Sequence, residues 1–221
     1  MTQLVIELNA LVLGLFIIST IAMTVTRQIG ACMLIFVVQS LLLAASAFLL
    51  GASPFSWHLF ALGCVTLISK AMIIPWLLRV LTPKGNYYRR ELSQAIDIPT
   101  TLLIALGLTF AGYAFAQHLV RAAPNLSPAN ISMGFAALLV GLLVLAVRTE
   151  AVPQLLGILA MENAAFLAGI AIAPDFPLIA ELAIAFDVPL LAFIVALLTR
   201  IAYRQVGTTE VGALAALREG P

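Results

Sequence analysis

Charge is what this chain lacks. Only 10% of its 221 residues are Asp, Glu, Lys or Arg, where a soluble globular domain carries roughly 25%. The other 90% lean heavily apolar: 63% are hydrophobic and the mean hydropathy is +1.13. A water-soluble fold is excluded, and the composition identifies an integral membrane protein. A net charge of +1 gives no basis for nucleic-acid binding. Cysteine is scarce as well. Cys32 and Cys64 sit in apolar stretches without CxxC spacing, which predicts two small buried hydrophobes rather than a metal site or a disulfide. The two histidines, His58 and His118, fall near helix ends and make a poor haem pair. No GxGxxG, P-loop, nucleophile elbow or metal spacing occurs, so nothing in the chain points to covalent chemistry. The apolar start has no basic n-region and no small-residue cleavage site, and is read as a retained first span.

About 20 apolar residues cross a bilayer as a helix. Seven such runs are present, at 4–26, 30–51, 57–81, 95–117, 127–147, 151–173 and 177–202. They are divided by turn-forming breaks such as Gly51-Ala52-Ser53-Pro54, Pro83-Lys84-Gly85-Asn86 and Pro174-Asp175-Phe176-Pro177. The expected fold is an all-α bundle of seven transmembrane helices, since a helix satisfies its own backbone in lipid. Nine basic residues (Arg27, Arg79, Lys84, Arg89, Arg90, Arg148, Arg200, Arg204 and Arg218) fall on one side and only Arg121 on the other. The positive-inside rule therefore puts the N-terminus outside and the C-terminus in the cytoplasm.

Against that background four ionisable residues stand out: Lys70, Glu162, Glu181 and Asp187. A charge at the bilayer centre costs roughly 2.5–3.5 kcal/mol on insertion scales, so such residues pair with one another or line a wet path. Glu162 lies halfway along the sixth run. It is either a neutral carboxyl bonded to a neighbouring helix or a proton relay. Asp187 lies midway along the seventh, two residues before Pro189, whose missing N–H leaves polar backbone nearby. Glu181 lies six residues earlier and nearer the outer surface. Lys70 is mid-span in the third run, followed by Pro75; it is either paired with a carboxylate or a titrating group in an ion path. Asp97-Ile98-Pro99 reads as a helix start with Asp at the N-cap.

A pattern repeats. Runs 1–3 and 5–7 each comprise a featureless helix ending in arginine (Arg27, Arg148), a helix with a polar mid-span residue (Gln39, Glu162), and a helix with a mid-span charge (Lys70, Asp187) followed by proline and arginine. Both triplets run in the same direction, which predicts a parallel repeat. Units are expected at 1–82 and 127–204, joined by a loop and linker helix at 83–126, with a cytoplasmic tail at 205–221.

Runs 5–7 resemble the K subunit of respiratory complex I and the C subunit of multisubunit cation/proton antiporters. Leu155-Leu156-Gly157 here leads to Leu159 where those subunits carry their glutamate, with Glu162 one turn later. Over nearly its full length the chain resembles the E-component family of hydrogenase-4, of the formate hydrogenlyase-2 type. The residues carrying this are Ser69-Lys70 with Pro75, Leu159-Ala160-Met161-Glu162-Asn163, Glu181 with Asp187, and the tail Gly207-Thr208-Thr209-Glu210-Val211 through Ala215-Ala216-Leu217-Arg218. The resemblance implies a non-catalytic subunit of a bacterial inner-membrane complex that couples redox chemistry to proton or ion translocation. Its partners would be antiporter-like membrane subunits and a peripheral hydrogenase-like arm. The nickel–iron centre and iron–sulfur clusters would lie in those partners and no cofactor in this chain. Glu162, Asp187, Glu181 and Lys70 would form a lateral proton path. The rival readings are a purely structural scaffold subunit and an independent secondary ion transporter.

The topology is testable directly. A cysteine placed at Gly85 should react with impermeant maleimide only from the cytoplasmic side, and one at Asn125 only from outside. Reaction of position 85 from outside reverses the assignment.

Overall fold

The computed structural model describes residues 3–52, 55–81, 94–122, 128–172, 193–194 and 197. The helices are α1 (Gln3–Val25), α2 (Ile29–Gly51), α3 (Trp57–Thr66), α4 (Ile74–Leu81), α5 (Ile98–Ala122), α6 (Pro128–Val147) and α7 (Ala151–Ile172). A π-helical segment, Leu67–Ile73, joins α3 to α4 without a break. Among the described residues six helical stretches are long and apolar enough to cross a membrane, α3 through α4 counting as one. They fall on the first six runs of the sequence. The seventh run, with Glu181 and Asp187, and the C-terminal tail lie outside the described residues except for 193–194 and 197, which are helical.

Four helices form the centre. α1 packs on α2 and α6, and α7 packs on α2 and α6, so the four close a ring. The α3–α4 stretch flanks α2, and α5 flanks α6 and α1. Glycines permit the closest approaches. A Cβ at Gly112 on α5 would fall 2.6 Å from the Ala136 Cα on α6, and one at Gly134 on α6 would fall 2.8 Å from Ala168 on α7. Small residues let helix backbones meet where lipid supplies no hydrophobic drive for association. α5 begins as the sequence predicts: Asp97 Oδ2 accepts from the Thr100 N–H at 3.1 Å and from its hydroxyl at 2.9 Å. Those two donors hold the Asp97 carboxyl below the usual range.

Cys32 is buried, but Cys64 is exposed on α3, which corrects the expectation that both are interior. In a bilayer the outer face of a helix is as apolar as the inner one, so an apolar neighbourhood does not mean burial. Trp76 and Phe110 are likewise exposed, at 64% and 75%.

Polar side chains inside the bundle gather in three layers. Near the N-terminal end of α1, Asn9, Ser46 and Asn130 close a ring: Asn9 Nδ2 donates to Asn130 Oδ1 (2.7 Å), Asn130 Nδ2 to Ser46 Oγ (2.9 Å) and Ser46 Oγ to Asn9 Oδ1 (2.8 Å). At the opposite end Arg148 is buried, and its Nη2 donates to the carbonyls of Met23, Thr24 and Thr26 at 2.7, 3.2 and 2.6 Å. The guanidinium thus satisfies the carbonyls that α1 leaves open at its C-terminus and sits at the negative end of its dipole. Gln94 Nε2 adds a bond to the Thr24 carbonyl at 2.9 Å. The third layer lies between these two.

The close approach at Gly112 yields a prediction. Gly112→Ala should lower the thermal stability of the purified protein by about 1–3 kcal/mol, since α5 and α6 must separate. Gly107→Ala on the same helix, where an added Cβ meets nothing within 4 Å, should be close to neutral.

Candidate functional site

The middle layer is built around Lys70. Its position follows from Pro75, which has no N–H and whose ring crowds the carbonyl one turn earlier. The backbone answers by widening: the Ile74 N–H donates to the Ser69 carbonyl, five residues back. Such π segments are rare and cluster at functional sites. This one carries Ser69 and Lys70 on its buried side. Nothing in the hydrophobic pattern announces it; the Lys70-to-Pro75 spacing is the signal that could have found it.

Lys70 Nζ lies 2.9 Å from Glu162 Oε1 on α7, and the two side chains are 4% and 20% exposed. Nζ also donates to Asn163 Oδ1 at 3.0 Å and stands 4.6 Å from the centroid of the Phe166 ring. One turn of α7 therefore surrounds the ammonium with a carboxylate, an amide oxygen and an aromatic face, each a favourable neighbour for a cation. Asn163 passes the connection inward. Its Nδ2 donates to Ser40 Oγ at 3.0 Å and, at 3.4 Å, to Gln39 Oε1 on α2. Gln39 Nε2 donates to Thr20 Oγ1 on α1 at 2.8 Å. Thr20 and Ser40 close the chain on the Phe16 and Phe36 carbonyls.

The layer runs across the bundle, from α1 through α2 and α7 to the π segment. Apolar side chains wall it off on both sides. Leu13, Phe16, Leu43 and Leu167 fill the space toward the Asn9 ring. Phe36, Leu155, Leu156 and Leu159 fill the space toward Arg148. Within the layer only Lys70 and Glu162 can gain or lose a proton readily. Nζ and Oε1 stand 2.9 Å apart as an ion pair. The Gln39 and Asn163 amides orient their neighbours but do not themselves hand a proton on.

Of the four residues singled out in the sequence, the structure brings Lys70 and Glu162 together; Glu181 and Asp187 lie outside the described residues. No role for Asn163, Ser40, Thr20 or Phe166 was legible in the sequence. Neutral polar residues inside apolar helices carry the missed signal: Thr20, Ser40 and Asn163 are all fully buried. Among the described residues no three of His, Cys, Asp and Glu come together as metal ligands.

The fold and the buried ion pair define a multi-pass helical membrane protein. No protein-family model matches the chain, and no solved structure does. It is similar to an uncharacterized protein of Mycobacterium tuberculosis, Rv0085, at 27% identity over 206 residues, covering 93% of this chain and 94% of that one.

The pair should behave as a unit under mutation. Lys70→Met strands the Glu162 carboxylate and should destabilise the protein by up to about 3–5 kcal/mol, toward the lower end because Glu162 retains some exposure. Lys70→Met combined with Glu162→Leu should recover most of that loss. Unfolding midpoints in detergent supply the comparison, and strictly additive losses would show that the two charges do not depend on each other.

Proposed function

We propose that this chain is a non-catalytic membrane subunit of a redox-driven, proton- or ion-translocating complex of the hydrogenase-4 and complex I-like kind, in the bacterial inner membrane. In this reading the chain spans the membrane seven times as two parallel three-helix units, with its N-terminus outside. The resemblance set out above supplies the partners: antiporter-like membrane subunits and a peripheral redox arm that holds the nickel–iron and iron–sulfur centres.

The observation that supports a coupling role is the Lys70–Glu162 pair in a polar layer closed by apolar packing toward both membrane surfaces. A layer of that shape suits charge movement within the plane of the membrane rather than across it. Redox turnover in the partner arm would bias the proton between carboxylate and ammonium, and the pair would pass the change laterally to its neighbours.

A scaffold reading has an observation of its own. Asn163 and Phe166 complete the surroundings of Lys70, as a purely structural ion pair would require. Glu162→Gln separates the two. Glutamine keeps the size of the side chain and an acceptor for Lys70 but cannot titrate. With proton uptake followed in vesicles holding the intact complex and assembly checked on native gels, the expected result is normal assembly with pumping reduced at least tenfold. Wild-type pumping by Glu162→Gln would leave the scaffold reading in its place.

A further inference from the structure

A groove of about 280 Å³ runs along the outside of the bundle, where the α3–α4 stretch packs on α2. Met33 on α2 and Pro75 on α4 are buried and form its floor. Leu34, Met72 and Trp76 are exposed along its rim, at 63%, 66% and 64%. Arg79, also exposed, stands at one end. Met72, Trp76 and Arg79 follow one another at spacings of four and three residues, which places them on one helix face. Pro75 supplies only a compact ring between them and α2, so a hollow opens there. From Met72 to Arg79 it spans seven residues, about 10 Å at 1.5 Å per residue. A helix, roughly 10–12 Å across with its side chains, is too wide to enter it; a single hydrocarbon chain is not.

We propose that this groove seats one acyl chain of an anionic phospholipid whose phosphate sits on Arg79. Three observations select this occupant. The walls are apolar and include two methionines, Met33 and Met72, whose unbranched thioethers adapt to a flexible chain. The cation at the end is a guanidinium, whose paired donors match a phosphate. A zwitterionic headgroup brings its own cation to that place, so the arginine favours an anionic lipid. Finally, Arg79 lies two residues before the end of α4, at headgroup depth for a span of this length. Trp76, one turn deeper, is the kind of ring that membrane proteins carry at that interface.

The seat adjoins the candidate site. Met72 belongs to the π segment that carries Lys70 on its buried side. A seated chain therefore packs against the outer side of the segment that holds Lys70 inward, and its occupancy steadies the widened turn. The seat rests on shape and charge alone. It stands whether or not the Lys70–Glu162 pair is coupled to ion movement.

The two tryptophans of the chain, Trp57 and Trp76, are both exposed and lie toward opposite ends of the α3–α4 stretch. Full-length protein carrying Trp57→Phe is reconstituted in phosphatidylcholine vesicles. Trp76 emission is then titrated with phosphatidylglycerol or phosphatidylcholine brominated on the acyl chain. The anionic lipid should quench with about fivefold higher apparent affinity, the factor that one basic residue near an anionic lipid contributes. Arg79→Gln in the same background should abolish the preference, and Arg79→Lys, which keeps the charge, should retain part of it. Trp76→Phe protein, which reports from Trp57, should show no preference. Equal quenching of Trp76 by the two lipids overturns the proposal with Arg79 intact, whatever the folding of the Arg79 variants. A preference that survives Arg79→Gln, or an equal one at Trp57, also overturns it by assigning the effect to the surface as a whole. The proposal fails too if neither lipid quenches Trp76 while Trp57 responds, since protein would then cover the groove.

Discussion

A lysine in the middle of a bilayer needs a counter-charge and enough acceptors for its donors, and much of the bundle's geometry meets that need. Glu162 supplies the charge and Asn163 an acceptor, and both come from one turn of α7. Asn163 can turn its oxygen toward Lys70 only because Ser40 and Gln39 accept from its nitrogen. Gln39 in turn depends on Thr20. The requirement of one ammonium thus fixes the register of α1, α2, α7 and the π segment at a single depth. Half-satisfied networks of this kind are costly in low dielectric, and fully satisfied ones specify a unique arrangement. Here the order of dependence runs outward from Lys70.

The three polar layers do different work. The Asn9–Ser46–Asn130 ring contains no titratable group and closes on itself, which suits a clasp between α1, α2 and α6. The Arg148 layer joins the end of α1 to the turn before α7 through backbone carbonyls, and Gln154 Nε2 returns a bond to the Arg148 carbonyl at 2.8 Å. The middle layer pairs Lys70 with Glu162, while Glu150 is buried close to Arg148 in the layer at the end of α1. Apolar packing separates the layers: Leu13, Phe16, Leu43 and Leu167 lie on one side of the middle layer and Phe36, Leu155, Leu156 and Leu159 on the other.

How much of this was legible in the sequence varies with the physics involved. The six described spans follow from run length and from Gly and Pro breaks, because a bilayer sets a minimum apolar length that few other constraints mimic. The Asp97 cap was legible because capping is local. Lys70 and Glu162 could be marked as costly, but their pairing could not be read, since the sequence offered Lys70 more than one mid-span acid and gave no contact geometry. The π segment was hidden because Pro75 reads equally well as a kink. Which faces of each helix turn inward was hidden for a deeper reason. Lipid removes the polar–apolar contrast that marks an inner face in water, and Cys64 is the residue on which that misleads.

The two partners of the central pair are not equally enclosed, and that asymmetry gives the site a direction. Lys70 is held by a carboxylate, an amide oxygen and an aromatic face, and its helix presses it inward through the widened turn. Glu162 lies 2.9 Å from Lys70 through one oxygen and keeps 20% of its side chain exposed. A carboxylate that keeps one edge open can trade a proton with whatever covers that edge. The amides behind Lys70 close the opposite way out, since neither Gln39 nor Asn163 relays a proton. Among the described residues the Glu162 carboxyl is the less enclosed member of the pair, with 20% of its side chain exposed against 4% for Lys70.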